Sequence, residues 1–212
     1  KGILEVTRRY AKKFSGEFGG SGERSDGVGA PPKTATPVQG PVGYENIMDV
    51  CVDLEKLVDV IWVSGTPSLQ VQYLLSIALL LTSYLTSFPA SPRPTFWLLR
   101  KLDIAFASLL RGENVDTGET LGGFAATSRK MSITEMVRLK SLVERTRVVV
   151  VEVMGRGERL EESEDDGEGN EDGDMEEDQE VVGRWEMEIA RVYELTIVEL
   201  GESLGNSGAD GP

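Results

Sequence analysis

Positions 69 to 88 hold the feature that most constrains this chain. Leu74, Leu75, Ile77, Ala78, Leu79, Leu80 and Leu81 leave almost no polar face on a helix. Such a helix is stable either in a bilayer or at the centre of a bundle. Spanning a bilayer takes about 20 predominantly apolar residues. Here Gln70, Gln72, Ser76, Thr82 and Ser83 interrupt a run of about fifteen. The segment therefore reads as a central helix that others must cover on most sides, and no membrane span is expected. That requirement sets the fold class as all-α, a small bundle of about four core helices plus a short N-terminal helix.

The covering helices follow from the 3.6-residue period. Ile47, Val50, Cys51, Leu54, Leu57, Val58, Ile61 and Trp62 share one face, with Asp49, Asp53, Glu55, Lys56 and Asp59 elsewhere. Gly65-Thr66-Pro67 stops that helix, and Ser68 suits the N-cap of the central one. Pro89, Pro92 and Pro94 impose an extended break. Thr95 then caps a helix over 96–110 with the stripe Phe96, Leu99, Leu102, Phe106, Leu109 and Leu110, ended by Gly112. A polar loop, 112–130, follows, with Leu121 and Phe124 as its anchors to the core. Ser132-Ile133-Thr134-Glu135 is a capping box. It opens a helix with Val137, Leu142, Val143, Val149, Val150 and Val153 inside. The run Val148-Val149-Val150-Val151 suits a strand by propensity, but helical periodicity continues through it from Met136. A last helix, 184–204, carries Trp185, Ile189, Val192, Tyr193, Thr196, Ile197 and Leu200.

The chain divides accordingly. Residues 1–14 form a short amphipathic helix with the stripe Ile3, Val6, Tyr10 and Phe14. Residues 15–43 are a Gly/Pro-rich linker expected to be disordered. Residues 44–154 are the helical core, 155–183 a disordered acidic insert, 184–204 a C-terminal helix on the core, and 205–212 a disordered tail. The chain opens at Lys1 without a methionine, as expected of a fragment or a processed product.

The formal net charge of -14 is local. Between positions 158 and 180 stand fourteen acidic residues and one basic residue, Arg159. The remainder carries 21 basic and 22 acidic side chains, a net of -1. This is a near-neutral domain with an acidic block, so repulsion from nucleic acid is not a property of the whole chain.

The residue inventory excludes most chemistry. There is no histidine and one cysteine, Cys51. No internal disulfide is available, in keeping with a reducing, intracellular setting. No zinc set can be assembled, and the usual neutral-pH general base is missing. The acidic block holds many carboxylates, but a solvated run neither fixes them nor shifts their pKa values. Glu168, Asn170, Asp172 and Gly173 brush against the EF-hand template, yet Gln179 stands where its bidentate carboxylate belongs. No catalytic, cofactor-binding or metal residue is therefore named. Arg138, Lys140, Arg145 and Arg147 lie two to each side of their helix and read as solvated flanks, so direct nucleic-acid binding is not expected. Thr36-Pro37, Thr66-Pro67 and Ser91-Pro92 are possible sites of proline-directed phosphorylation.

Three strings go beyond generic helix. They are Arg9-Tyr10-Ala11-Lys12-Lys13-Phe14, the stretch from Ser87-Phe88-Pro89-Ala90-Ser91-Pro92-Arg93-Pro94-Thr95-Phe96 through Ala105-Phe106-Ala107-Ser108-Leu109-Leu110, and Ser141-Leu142-Val143-Glu144-Arg145-Thr146-Arg147-Val148-Val149-Val150. They resemble the small fungal accessory subunit of the general transcription factor TFIIH over residues 44–153 plus the N-terminal helix. The resemblance implies a nuclear, non-enzymatic protein that binds the DNA translocase subunit of TFIIH and promotes its release after initiation. It carries over no binding residue and covers neither the linker nor the acidic block. The alternative expectation is an acidic-tract chaperone or scaffold for basic nuclear proteins such as histones, with the helices as its platform.

Overall fold

A computed structural model describes residues 1–15, 43–124, 131–164 and 185–206. Among these are six helices: α1 (Gly2–Ser15), α2 (Ile47–Val63), α3 (Pro67–Leu85), α4 (Pro92–Arg111), α5 (Ile133–Glu164) and α6 (Glu194–Asn206). A short helical segment at 185–190 precedes α6, and no strand occurs among the described residues. The fold is all-α. The expected linker, most of the acidic insert and most of the C-terminal tail lie outside the described residues.

α3 occupies the centre, with α2, α4 and α5 packed against it. Leu74, Ile77, Ala78 and Leu81 are fully enclosed. By length and composition α3 could cross a membrane, but over half of that apolar window is buried in the bundle. Burial accounts for its composition. The helix begins two residues earlier than the Ser68 cap allows. Pro67 takes the first helical position, where a missing N–H costs nothing, and the Thr66 carbonyl accepts from Leu69 and Gln70.

The same chemistry corrects the break before α4. Pro92 and Pro94 do not hold the chain extended but lie in the first turn of the helix, which starts at Ser91–Pro92. Thr95 is no cap: it is buried one turn inside. Gly112 ends α4 in the left-handed region (φ 82°), its N–H donating to the Ser108 carbonyl at 2.8 Å. Leu121 and Phe124 pack against the core as expected. Gly123 sits so near the α2–α3 turn that a Cβ would stand 2.9 Å from the Gly65 carbonyl oxygen.

Polar contacts fix the directions of the helices. Gln72 donates to Glu135 at 2.8 Å, and Thr82 and Thr146 share a buried hydroxyl pair at 2.7 Å, so α3 and α5 run parallel. Glu55 accepts from Trp97 and Lys101, and Lys101 also reaches Asp59, so α2 and α4 run parallel as well. α1 lies antiparallel to α2. Its Val6 is buried, Tyr10 stacks on Tyr84 with centroids 3.6 Å apart, and Arg9 pairs with Asp53 while covering the Tyr44 ring.

α5 starts at the expected capping box. The Ser132 N–H donates to the Glu135 carboxylate at 2.9 Å, and the Glu135 N–H returns to the Ser132 hydroxyl at 3.3 Å. The four valines stay helical because Val150, with Val153 and Met154 beyond, is buried against the bundle. The helix does not stop at 154. It continues to Glu164, so the first ten residues assigned to the acidic insert are helical. Glu, Arg and Leu are strong helix formers, and Glu152 and Arg156 pair one turn apart. Together these offset the two glycines at 155 and 157.

The last helix is not continuous over 184–204. It breaks at 191–193, where Tyr193 takes a left-handed backbone (φ 58°) that costs a non-glycine residue about 1–2 kcal/mol. Two charged side chains from other helices hold the break. Asp103 of α4, buried, accepts the N–H groups of Leu195 and Thr196 at 3.2 and 2.8 Å and the Thr196 hydroxyl at 2.6 Å. Arg147 of α5 donates to the carbonyls of Val192 and Ala190 at 3.4 and 3.5 Å. A carboxylate thus meets the N-terminus of α6 and a guanidinium the C-terminal end of the segment before it, the arrangement that helix dipoles favour. Arg147 is therefore a structural donor, not a solvated flank. Asp103→Ala leaves the buried Thr196 N–H and the part-buried Leu195 N–H without this acceptor and should destabilise the fold by about 2–3 kcal/mol. Urea unfolding reads the loss, and hydrogen exchange should show it first at the amides of 195 and 196.

Candidate interaction surface

The reactive groups that the sequence offers are mostly committed to the core. Cys51 is buried in α2, and desolvation pushes its thiol up to about 12. It stays protonated near neutral pH and is a poor nucleophile. Among the described residues no three Asp, Glu or Cys side chains converge as metal ligands do. The EF-hand-like stretch 168–179 and Thr36 lie outside the described residues. Thr66 is exposed at the N-cap of α3, its hydroxyl donating to the Ser64 carbonyl at 3.2 Å, and Ser91 is half-buried at the N-cap of α4.

Asp103 is the most enclosed carboxylate. Burial raises its pKa, and the hydrogen bonds from Thr196 and Leu195 oppose that only in part. A folded pKa above the unfolded one means that the fold binds this proton more readily. The stability it brings is complete below the ordinary carboxylate range and is lost as pH rises through the raised value. Asp103→Asn stays neutral throughout. The stability of the wild type relative to this variant should fall as pH rises from about 4 through the raised value and then level off. Paired urea titrations across that range check it.

The basic residues of α5 divide by role. Arg147 holds the break before α6, and Lys140 lies 3.9 Å from Glu144. Arg138 and Arg145 are exposed and form no ion pair among the described residues. On the opposite side of the bundle Glu55, held below the usual carboxylate range chiefly by the Trp97 indole N–H and then by Lys101, pins an otherwise exposed tryptophan.

Among the open concavities of the described residues, two grooves flank α5. One, about 600 Å³, lies between α5 and α6 and is lined by Val143, Ile197, Leu200 and Leu204 with Lys140 and Arg147 beside them. The other, about 320 Å³, lies between α3 and α5, with Leu75, Leu79, Val137 and Leu142 between Arg138 and Arg145. Val137 is half exposed, where the sequence put it inside, and Leu79 on the central helix is 47% exposed. Periodicity missed this because it marks one apolar stripe per helix without telling a covered stripe from an open one. The sequence named no binding residue; these two grooves combine an apolar floor with basic edge residues, whereas the concavity between α4, α5 and α6 is edged chiefly by Glu113, Glu199 and Glu202.

Grooves of this kind between helices are places where a helical bundle can take an amphipathic segment of another protein. The chain belongs to the family of subunit 11 of the general transcription factor TFIIH (TFB6), which it matches over residues 43–201. That span takes in α2 to α5 whole and α6 as far as Gly201, so the family is carried by the bundle itself. No curated protein and no solved structure matches the chain.

Proposed function

We propose that the chain is a non-enzymatic, nuclear adaptor of TFIIH that binds the complex's translocase subunit and helps it dissociate in transcription initiation. The observation that carries this reading is the family match across the whole core bundle, 43–201. The grooves beside α5 support it, since an adaptor acts by surface and not by assembled catalytic groups. Its partners are proteins of that complex.

Purified full-length chain added to TFIIH that carries its translocase provides the test. The translocase subunit should leave the complex and co-elute with the chain on gel filtration. A translocase that stays in place while the chain elutes alone sinks the proposal. The acidic block, fourteen carboxylates between 158 and 180, favours a second reading as a chaperone of basic proteins such as histones. Deleting 158–180 separates the two: the adaptor keeps its translocase binding, and the chaperone loses a salt-sensitive binding to histones.

A further inference from the structure

The α3–α5 groove says more about its occupant than the groove on the other side of α5. Its floor is Leu75, Leu79, Val137 and Leu142, and its edge on the α5 side carries Arg138 and Arg145. Leu79 and Val137 are each about half exposed, and Val148, also exposed, stands about one turn beyond Arg145 on α5. Both helices at the walls are held to each other by the Gln72–Glu135 and Thr82–Thr146 contacts, so the groove is a built feature of the fold.

The two arginines set the charge that fits. Neither has a carboxylate partner among the described residues: of the nearest acids in sequence, Glu135 is engaged by Gln72 and Ser132, and Glu144 lies beside Lys140. They are seven residues apart on one helix, which places them about 10.5 Å apart along its axis. An α-helix lying in the groove presents side chains at the same interval when they are seven residues apart. Guanidinium groups bind carboxylates in paired hydrogen bonds, so acidic residues at that spacing are the complement.

We propose that this groove docks an acidic amphipathic helix of a partner protein, with apolar residues on the floor and two carboxylates spaced i, i+7 against Arg138 and Arg145. The mode is helix-in-groove recognition, with the apolar face supplying affinity and the ion pairs fixing register. It does not depend on which subunit supplies the helix.

The probe is a fluorescein-labelled synthetic helix with leucines on one face and glutamates at i, i+7 beside it, titrated into the full chain. Saturable binding is expected. Arg138→Glu with Arg145→Glu should weaken it at least about tenfold, and the same probe with glutamine for glutamate should be weakened in the wild type. Arg138→Lys with Arg145→Lys keeps the charge but loses the paired hydrogen bonds, so its affinity should fall between the wild type and the charge reversal, and circular dichroism of each variant should match the wild type, because the arginines are exposed. Leu79→Ala tests the floor and should also weaken binding. No saturable binding, or binding untouched by charge reversal, overturns the proposal. So does a deletion of 158–180 that tightens binding tenfold, since the chain's own acidic block would then be the occupant. Displacement of the probe by a short DNA duplex at lower concentration than by unlabelled probe would assign the face to nucleic acid instead.

Discussion

The C-terminal third of the fold depends on two charges from elsewhere in the chain. Tyr193 adopts a backbone that its own residue type disfavours, and the segment 185–190 ends and α6 begins within three residues of each other. Left to local preference, the periodic run from Trp185 to Leu200 would form one helix. Asp103 and Arg147 reverse that preference. Hydrogen bonds to a charged group contribute about 1.5–3 kcal/mol each. Three donors converge on the Asp103 carboxylate at the start of α6 and hold the left-handed residue in place. On either side of the break Trp185 stacks on Phe96 and Tyr193 meets Phe106.

Why the sequence announced the fold so well and the bend so poorly follows from the range of the forces. The capping box at Ser132 and Glu135, the stop at Gly112 and the apolar α3 are decided within a few residues, and each was legible. Pro92 and Pro94 misled because proline disfavours a helix interior but suits its first turn, and the two cases differ by three positions. The helical run to Glu164 was hidden by the acid count, which drew attention to solvation and away from the helix propensity of glutamate. The bend was beyond reading, because its cause, Asp103, lies 93 residues from Thr196. The candidate surface was illegible for a related reason. Val137 and Leu79 look like core residues in sequence, and only the distances between helices decide that they are left half uncovered.

α5 is the element that both candidate grooves share. It is parallel to α3 and antiparallel to α6, and its side chains line the two grooves along opposite flanks. Arg147 on the α6 flank is spent on carbonyls, while Arg145, two residues earlier, faces outward on the α3 flank. One helix thus divides its cations between holding the fold and presenting charge. The division is a matter of 100° per residue and nothing else.

The distance between Asp103 and its donors also has a consequence in time. During synthesis Asp103 precedes Thr196 by 93 residues, and the whole acidic block is made between them. At about 5–20 residues per second the carboxylate waits roughly 5–19 s, solvated, before α6 exists to receive it. Through that interval Phe96 and Phe106 lack the rings of Trp185 and Tyr193. The nascent bundle therefore shows a charged notch framed by bare aromatic surface. A ribosome that stalls within the acidic codons would leave that notch permanently open, marking the unfinished chain for the chaperones and proteases that recognise exposed apolar surface.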